Sequence, residues 1–434
     1  MKARKGNCIF MINIEKLSNG ITVVLEEMNH LRSASFGIWI KVGSCNENNS
    51  NNGISHMIEH MLFKGTTHRS AKDLANDMAM IGGNLNAYTS KECTSFYVTT
   101  LDSHLPMAIN IIGDMICNSL FTQEDIKKEK GVIIEEIDMY DDSPDDLVHE
   151  MLQKKAWKDH PLGFIISGSK KNVNGFTRNE ILDYFNKYYT ANNIVISIAG
   201  SFEKSKTLTQ LEEQFGGILS SSESSLLTEP VYHKCFYKQK KDIEQIHMNL
   251  AFESVSYNSS QKYALSIINS ILGGSENSKL FQIIREEQGL TYSIYSYGSS
   301  YNAAGLFHID AALNPSKLSK VYHEIISVIE QFKIDGVTDE ELQRTKEQIN
   351  TELIIGSEST RNRMNSNGKA MLCRGKIISL DETVNRLNAV SKEDISNFLQ
   401  HFFVTNQCSV SLVGNTIHKE IVDFENKWKN TTHH

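Results

Sequence analysis

TRNEILDYFNKYYTANNIVISIAGS, residues 177–201, is matched without gaps by SKEDISNFLQHFFVTNQCSVSLVGN, residues 391–415. Each copy opens on a hydroxyl cap and an acidic first turn, runs through a helix to a pair of aromatics, keeps Asn192 or Asn406, and closes a strand at Gly200 or Gly414. Two stretches agreeing on cap, helix end and strand end specify the same helix-then-strand unit, so the chain carries a duplicated domain.

Working outward, FTQEDIKKEKGVIIEEI (121–137) pairs with VTDEELQRTKEQINTEL (337–353), again a Thr cap before an acidic turn. Further back, HMIEHMLFKG (56–65) falls opposite LSIINSILGG (265–274). The serine-rich LSSSESSLLTEP (219–230) lacks periodicity and divides the chain into halves of similar length. The expected organisation is a first domain over 1–218, a linker over 219–231 and a homologous domain over 232–434.

Within the first half, 21–27 and 33–44 read as strands, and 54–63, 71–81, 105–117 and 123–140 carry helical apolar spacing. Residues 84–101 read as a hairpin turning at Ser90-Lys91-Glu92, and Ser143-Pro144 as the cap and first-turn proline of a helix reaching Ala156. The fold class expected is α+β: two homologous domains, each a mainly antiparallel sheet covered by helices on one side.

A length of 434 residues with 40% hydrophobic content suits two globular domains. With 44 basic against 52 acidic residues and no long Lys/Arg run, nucleic acid is an unsuitable partner. Seven cysteines, at 8, 45, 93, 117, 235, 373 and 408, show no paired spacing, as expected of free thiols in a reducing compartment. No run approaches the roughly 20 apolar residues of a membrane span, and the apolar stretch at 8–12 is too short for a signal-peptide core. The expectation is a soluble, cytoplasmic protein; the basic first ten residues leave organelle targeting as an alternative, and Met11 is an alternative start.

In NNGISHMIEHMLFKGT (51–66), His56, Glu59 and His60 stand at i, i+3 and i+4, one arc of a helix. Two imidazoles on adjacent turns can chelate one zinc ion, and Glu59 between them can take a proton from a metal-activated water. The order H-x-x-E-H is an inverted zinc-peptidase signature. The competing reading is a solvated polar face, but Met57, Ile58, Met61, Leu62 and Phe63 mark the helix as largely buried, and buried His and Glu need partners. The second copy has Leu265, Ile268 and Asn269 at the three positions, so the helix folds without them and only one copy can carry metal. A third ligand is expected from EKGVIIEEID (129–138), where Glu129 and Glu136 share a face two turns apart and Glu135 points elsewhere. Glu136 is assigned as ligand and Glu129 as a supporting carboxylate.

These motifs, with the opening NGITVVLEE, HPLG at 160–163 and GGSENSKLFQIIREEQGLTYSIYSY (273–297), resemble the pitrilysin, insulinase and mitochondrial processing peptidase family over essentially the whole chain, specifically its shorter bacterial-type members. The resemblance implies a half-clamshell metallopeptidase with one zinc per chain on His56, His60 and Glu136 and Glu59 as base. It implies further that Arg285 and Tyr292 bind the substrate backbone and the tetrahedral intermediate, and that Asn86 and Ala87 lie on an edge strand pairing with an extended peptide. It implies a zinc endopeptidase acting on peptides or short protein segments, working as a homodimer, or a heterodimer with a related chain, across a chamber. The alternatives are a subunit of the same fold in a processing complex, a non-catalytic interaction protein, or a zinc hydrolase of another class.

Overall fold

The computed structural model describes residues 12–221 and 228–430. The alternative start Met11, the basic first residues and residues 222–227 of the expected linker lie outside the described residues.

Two compact units emerge. The first is built on a six-stranded sheet of β1 (Ile12–Lys16), β2 (Thr22–Glu27), β3 (Ser33–Ile40), β4 (Asn84–Thr89), β5 (Thr94–Leu101) and β6 (Ile194–Gly200), in the order β1-β2-β6-β3-β5-β4. Only β2 and β6 pair in parallel. The second unit is built on β7 (Phe236–Lys240), β8 (Ile246–Ser254), β9 (Thr291–Ser300), β10 (Gly305–Leu313) and β11 (Ser409–Gly414), in the order β7-β11-β8-β10-β9. Again one pair, β7 with β11, is parallel. Apart from β1 the two sheets have the same strand order, which is the duplication seen in the sequence. The helices repeat with them: Ile54–Leu62 corresponds to Lys262–Leu272, Gln123–Asp142 to Asp339–Gly356, and Arg178–Tyr188 to Lys392–Phe402, the last two each opening on a capping box.

The units interleave along the chain. The first takes the described residues of Met1–Glu135, Ile166–Leu226 and Ile354–Ile378, the second those of Glu136–Ile165, Leu227–Leu353 and Ser379–His434. Relative to the expected halves, each unit therefore holds one helix from the other half of the sequence.

That exchange corrects the expectation of helices on one side only. Along β3, Phe36 packs against Phe215 of the helix Lys204–Phe215, at 6.4 Å between rings. Ser35, Gly37 and Trp39 point to the opposite face. There the helix Thr360–Arg374 lies on them: Ser35 and Thr360 share a hydroxyl hydrogen bond of 2.9 Å. A Cβ on Gly37 would come within 2.5 Å of Met364, and one on Gly368 within 2.4 Å of the Trp39 ring, so both glycines permit the close approach. Arg363 Nε donates to both oxygens of Glu26 at 2.8 and 2.9 Å, and Asn367 donates to the same fully buried carboxylate at 2.6 Å. Removing one member of such a buried pair costs about 3–5 kcal/mol.

In the second unit the helix Pro144–Ala156 does the same for its sheet, Leu147 and Val148 packing on Val413 of β11. The main core of that unit, with Met248, Leu250, Phe307 and Ile309, fills the other face. No described helix is long and apolar enough to cross a membrane, and the six described cysteines are free thiols.

Candidate metal centre

The helix Ile54–Leu62 starts from an asparagine-rich loop that the chain must turn sharply to leave. Gly53 adopts φ +103°, and a Cβ there would meet the Ser167 carbonyl at 2.8 Å, so only glycine fits. The first turn's orphan amides find Glu47, whose carboxylate is 4% exposed: it accepts from Gly53 N–H at 2.8 Å, Asn52 Nδ2 at 2.8 Å and Ser55 N–H at 2.9 Å. A carboxylate there also suits the positive end of the helix dipole. Burial pushes the Glu47 carboxyl above its ordinary pKa, opposed by those three donors. Met57, Ile58, Met61 and Leu62 are buried, which leaves His56, Glu59 and His60 along the partly open stripe.

His56, His60 and Glu136 each offer one ligand atom, and these atoms lie within 4.8 Å of one another. Theirs is the one group of three or more such residues found among the described residues. The two imidazole rings stand 4.6 Å apart at 70°, edge to face. Two neutral imidazoles and a carboxylate form a donor set that fits zinc and leaves a fourth position open. The boundary between the units falls after Glu135, inside the unbroken helix Gln123–Asp142, so Glu136 continues directly from the first unit's share of that helix. Glu135 is exposed and Glu136 half-buried, as the helical spacing requires.

Glu129 is buried one side over. Its Oε2 lies 3.1 Å from His60 Nδ1, and its Oε1 accepts from Lys64 Nζ at 2.7 Å. With His60 held by Nδ1, ligation falls to Nε2, the arrangement by which a carboxylate orients a metal-bound imidazole. Glu59 Oε2 is 3.6 Å from His56 Nδ1 and accepts from the Thr89 hydroxyl at 2.6 Å. Sequence reading missed Glu47, Lys64 and Thr89. Lys64 stands one turn beyond His60 and could have been found by spacing; Glu47 and Thr89 act across loops and had no periodic signal.

Asn86 and Ala87 sit half-buried in β4, paired to Tyr97 and Phe96 of β5 on one side. The strand order ends at β4, so its outer backbone faces no strand of the sheet. Arg285 and Tyr292 lie together in the second unit. The helical turns Phe281–Glu287 are widened to π geometry and end at Gly289, φ +56°. The Arg285 guanidinium lies 4.4 Å from the Phe281 ring centre and 5.4 Å from that of Tyr292. Tyr292 is 79% exposed, so this strand tyrosine does not serve the core.

The profile of the insulinase family (peptidase family M16) matches residues 22–170, and that of the peptidase M16 inactive domain matches residues 175–349. An uncharacterized zinc protease of Bacillus subtilis, YmxG, is 38% identical over 93% of this chain and 98% of its own length. An uncharacterized zinc protease of Rickettsia felis is 36% identical over 90% and 95%. The crystal structure of a protease from Helicobacter pylori superposes with a TM-score of 0.87 at 20% identity, covering 93% of this chain and 99% of the other, a likeness of fold.

Proposed function

We propose that this chain, which belongs to the insulinase family of peptidases (peptidase family M16), is a zinc-dependent endopeptidase with one zinc per chain. The observation that carries the reading is the convergence of His56, His60 and Glu136 beside a separate carboxylate, Glu59. Zinc bound there would polarise a peptide carbonyl and bring the pKa of a water near neutrality. Glu59 accepts the proton of the attacking water and returns it to the leaving amine. Glu129 holds His60 in its ligating tautomer, and Lys64 neutralises Glu129. Extended peptide adds to the outer edge of β4 beside Asn86 and Ala87, and Arg285 and Tyr292 donate to its backbone and to the developing oxyanion.

The test is digestion of a peptide library, with esters and amides as competing substrates and mass spectrometry of the products. Internal peptide cleavage that stops with a chelator and returns with zinc is expected; ester hydrolysis alone, or cleavage indifferent to the chelator, would reject the reading. We place the protein in the cytoplasm, in keeping with its unpaired cysteine spacing.

For assembly we propose a homodimer in which Arg285 and Tyr292 serve the partner's zinc site. The support is the resemblance to longer relatives, in which four such domains are joined in one chain with the metal in the first and the Arg/Tyr pair in the fourth. Mixing Glu59→Gln and Arg285→Ala chains under subunit exchange then restores activity, because one site per mixed dimer is wild type. Mixed dimers confirmed by native mass spectrometry but lacking activity would reject the shared site and leave the zinc chemistry standing.

A further inference from the structure

We propose that Thr89 is a positioning residue for Glu59: its hydroxyl holds one carboxylate oxygen so that the other is presented as the proton acceptor. The inference rests on the reading of Glu59 as general base. Thr89 Oγ1 donates to Glu59 Oε2 at 2.6 Å, well inside the 3.6 Å that separates the same oxygen from His56 Nδ1. The terminal torsion of a glutamate is broad and poorly confined by its own chain. With Oε2 held by this short bond, Oε1 is the oxygen left to point elsewhere.

Thr89 can set that direction only if it is itself fixed, and the surroundings of β4 fix it. It is the last residue of the strand, paired with Thr94 across the hairpin. In the turn that follows, Ser90 N–H and Ser90 Oγ each donate to the Cys93 carbonyl at 2.8 Å, and Cys93 N–H returns to Ser90 Oγ at 3.1 Å. The turn is tied in addition to the chain after β3: Ser44 N–H donates to the Ser90 carbonyl at 3.2 Å and Cys45 N–H to the Lys91 carbonyl at 2.8 Å. Gly43 makes that approach possible, since a Cβ there would fall 2.3 Å from the Ser90 carbonyl oxygen. A β-branched side chain on so rigid a backbone has little χ1 freedom, so its hydroxyl is a fixed donor. The same strand carries Asn86 and Ala87 on its open edge, so the element offered to an extended peptide is also the one that aims the base.

The test compares zinc-loaded wild type with Thr89→Val, which keeps the shape and removes the donor, Thr89→Ser, which keeps the donor, and Glu59→Gln as the floor. Turnover and KM on one internally quenched peptide, zinc content and melting temperature are read for each. We expect Thr89→Val to lose about 10- to 100-fold in kcat, with KM and zinc content within about twofold, the signature of a misaimed group rather than of weaker binding. Thr89→Ser should recover most of the loss. If the valine variant melts early, Thr89→Ala carries the same comparison. Wild-type kcat in Thr89→Val with Glu59→Gln inactive would overturn this inference alone. Equal losses in the valine and serine variants, following stability, would overturn it as well by making Thr89 structural. An active Glu59→Gln would remove the base reading and this inference with it.

Discussion

The helix Ile54–Leu62 and its counterpart Lys262–Leu272 occupy the same place in two sheets of the same strand order apart from β1, yet among the described residues only the first contributes to a cluster that could hold a metal. Where the first has His56 and Glu59, the second has Leu265 and Ile268, 6% and 0% exposed and part of its unit's core. Where the first has His60, the second has Asn269, whose Oδ1 accepts from Ser296 Oγ of β9 at 2.9 Å, a tie between helix and strand. On the facing long helix, Glu129 and Glu136 correspond to buried Thr345 and exposed Glu352. The second copy shows what this architecture needs for packing alone. The polar set of the first copy exceeds that need.

The comparison breaks most completely if the first copy is rewritten as the second. Replacing His56→Leu, Glu59→Ile and His60→Asn together should abolish zinc binding and peptide cleavage while circular dichroism and melting of the metal-free protein stay close to wild type. Loss of the fold would mean that these residues do structural work. A finer cut separates the two carboxylates of the long helix. Glu129→Gln should weaken zinc retention about 10- to 100-fold, as loss of an orienting carboxylate does, and Glu136→Gln should weaken it more. Equal losses in a chelator competition would overturn the ordering of ligand and support.

The smallest expected effect concerns the second faces of the sheets, where the units also differ. The first uses the ion pair Arg363–Glu26. The second uses a titratable chain: Tyr297 Oη to His149 Nδ1 at 2.7 Å, His149 Nε2 to Asp310 at 3.2 Å, Asn249 Nδ2 to Asp310 at 3.0 Å, and His308 Nδ1 to Asn249 Oδ1 at 3.0 Å. Burial pushes Asp310 up from 3.8 to about 8, with Asp145 adding and Asn249 opposing. The folded state thus holds this proton more tightly than the unfolded chain. The site's contribution to stability is greatest below pH 3.8 and declines as pH rises toward about 8. Asp310→Asn keeps a neutral group that can meet His149 and Asn249, so its melting temperature should gain on wild type between about pH 5 and pH 8. A gap constant with pH would show that Asp310 does not titrate in this window.

Much of this was legible locally. The hairpin over 84–101 appears as β4 and β5 with its turn where the polar residues cluster, and Ser143 caps the proline-led helix by accepting from Asp146 N–H. His56, His60 and Glu136 were legible because helical periodicity places residues in the same element on known faces, and the duplicate showed which were dispensable for folding. The exchanged helices were not legible. Seating Thr360, Met364 and Gly368 on Ser35, Gly37 and Trp39 depends on contacts more than three hundred residues apart, and neither stretch carries a pattern naming its partner. The hydrogen bonds of Glu47 to the helix start and of Thr89 to Glu59 escaped for the same reason.

Zinc content and turnover, measured on wild type and Glu59→Gln side by side, test the central claim most directly. The expected result is one zinc per chain in both, with peptide turnover of the variant lower by a factor on the order of 10²–10⁴. Wild type without zinc, or a zinc-loaded Glu59→Gln chain that cleaves at a near-normal rate, would contradict it.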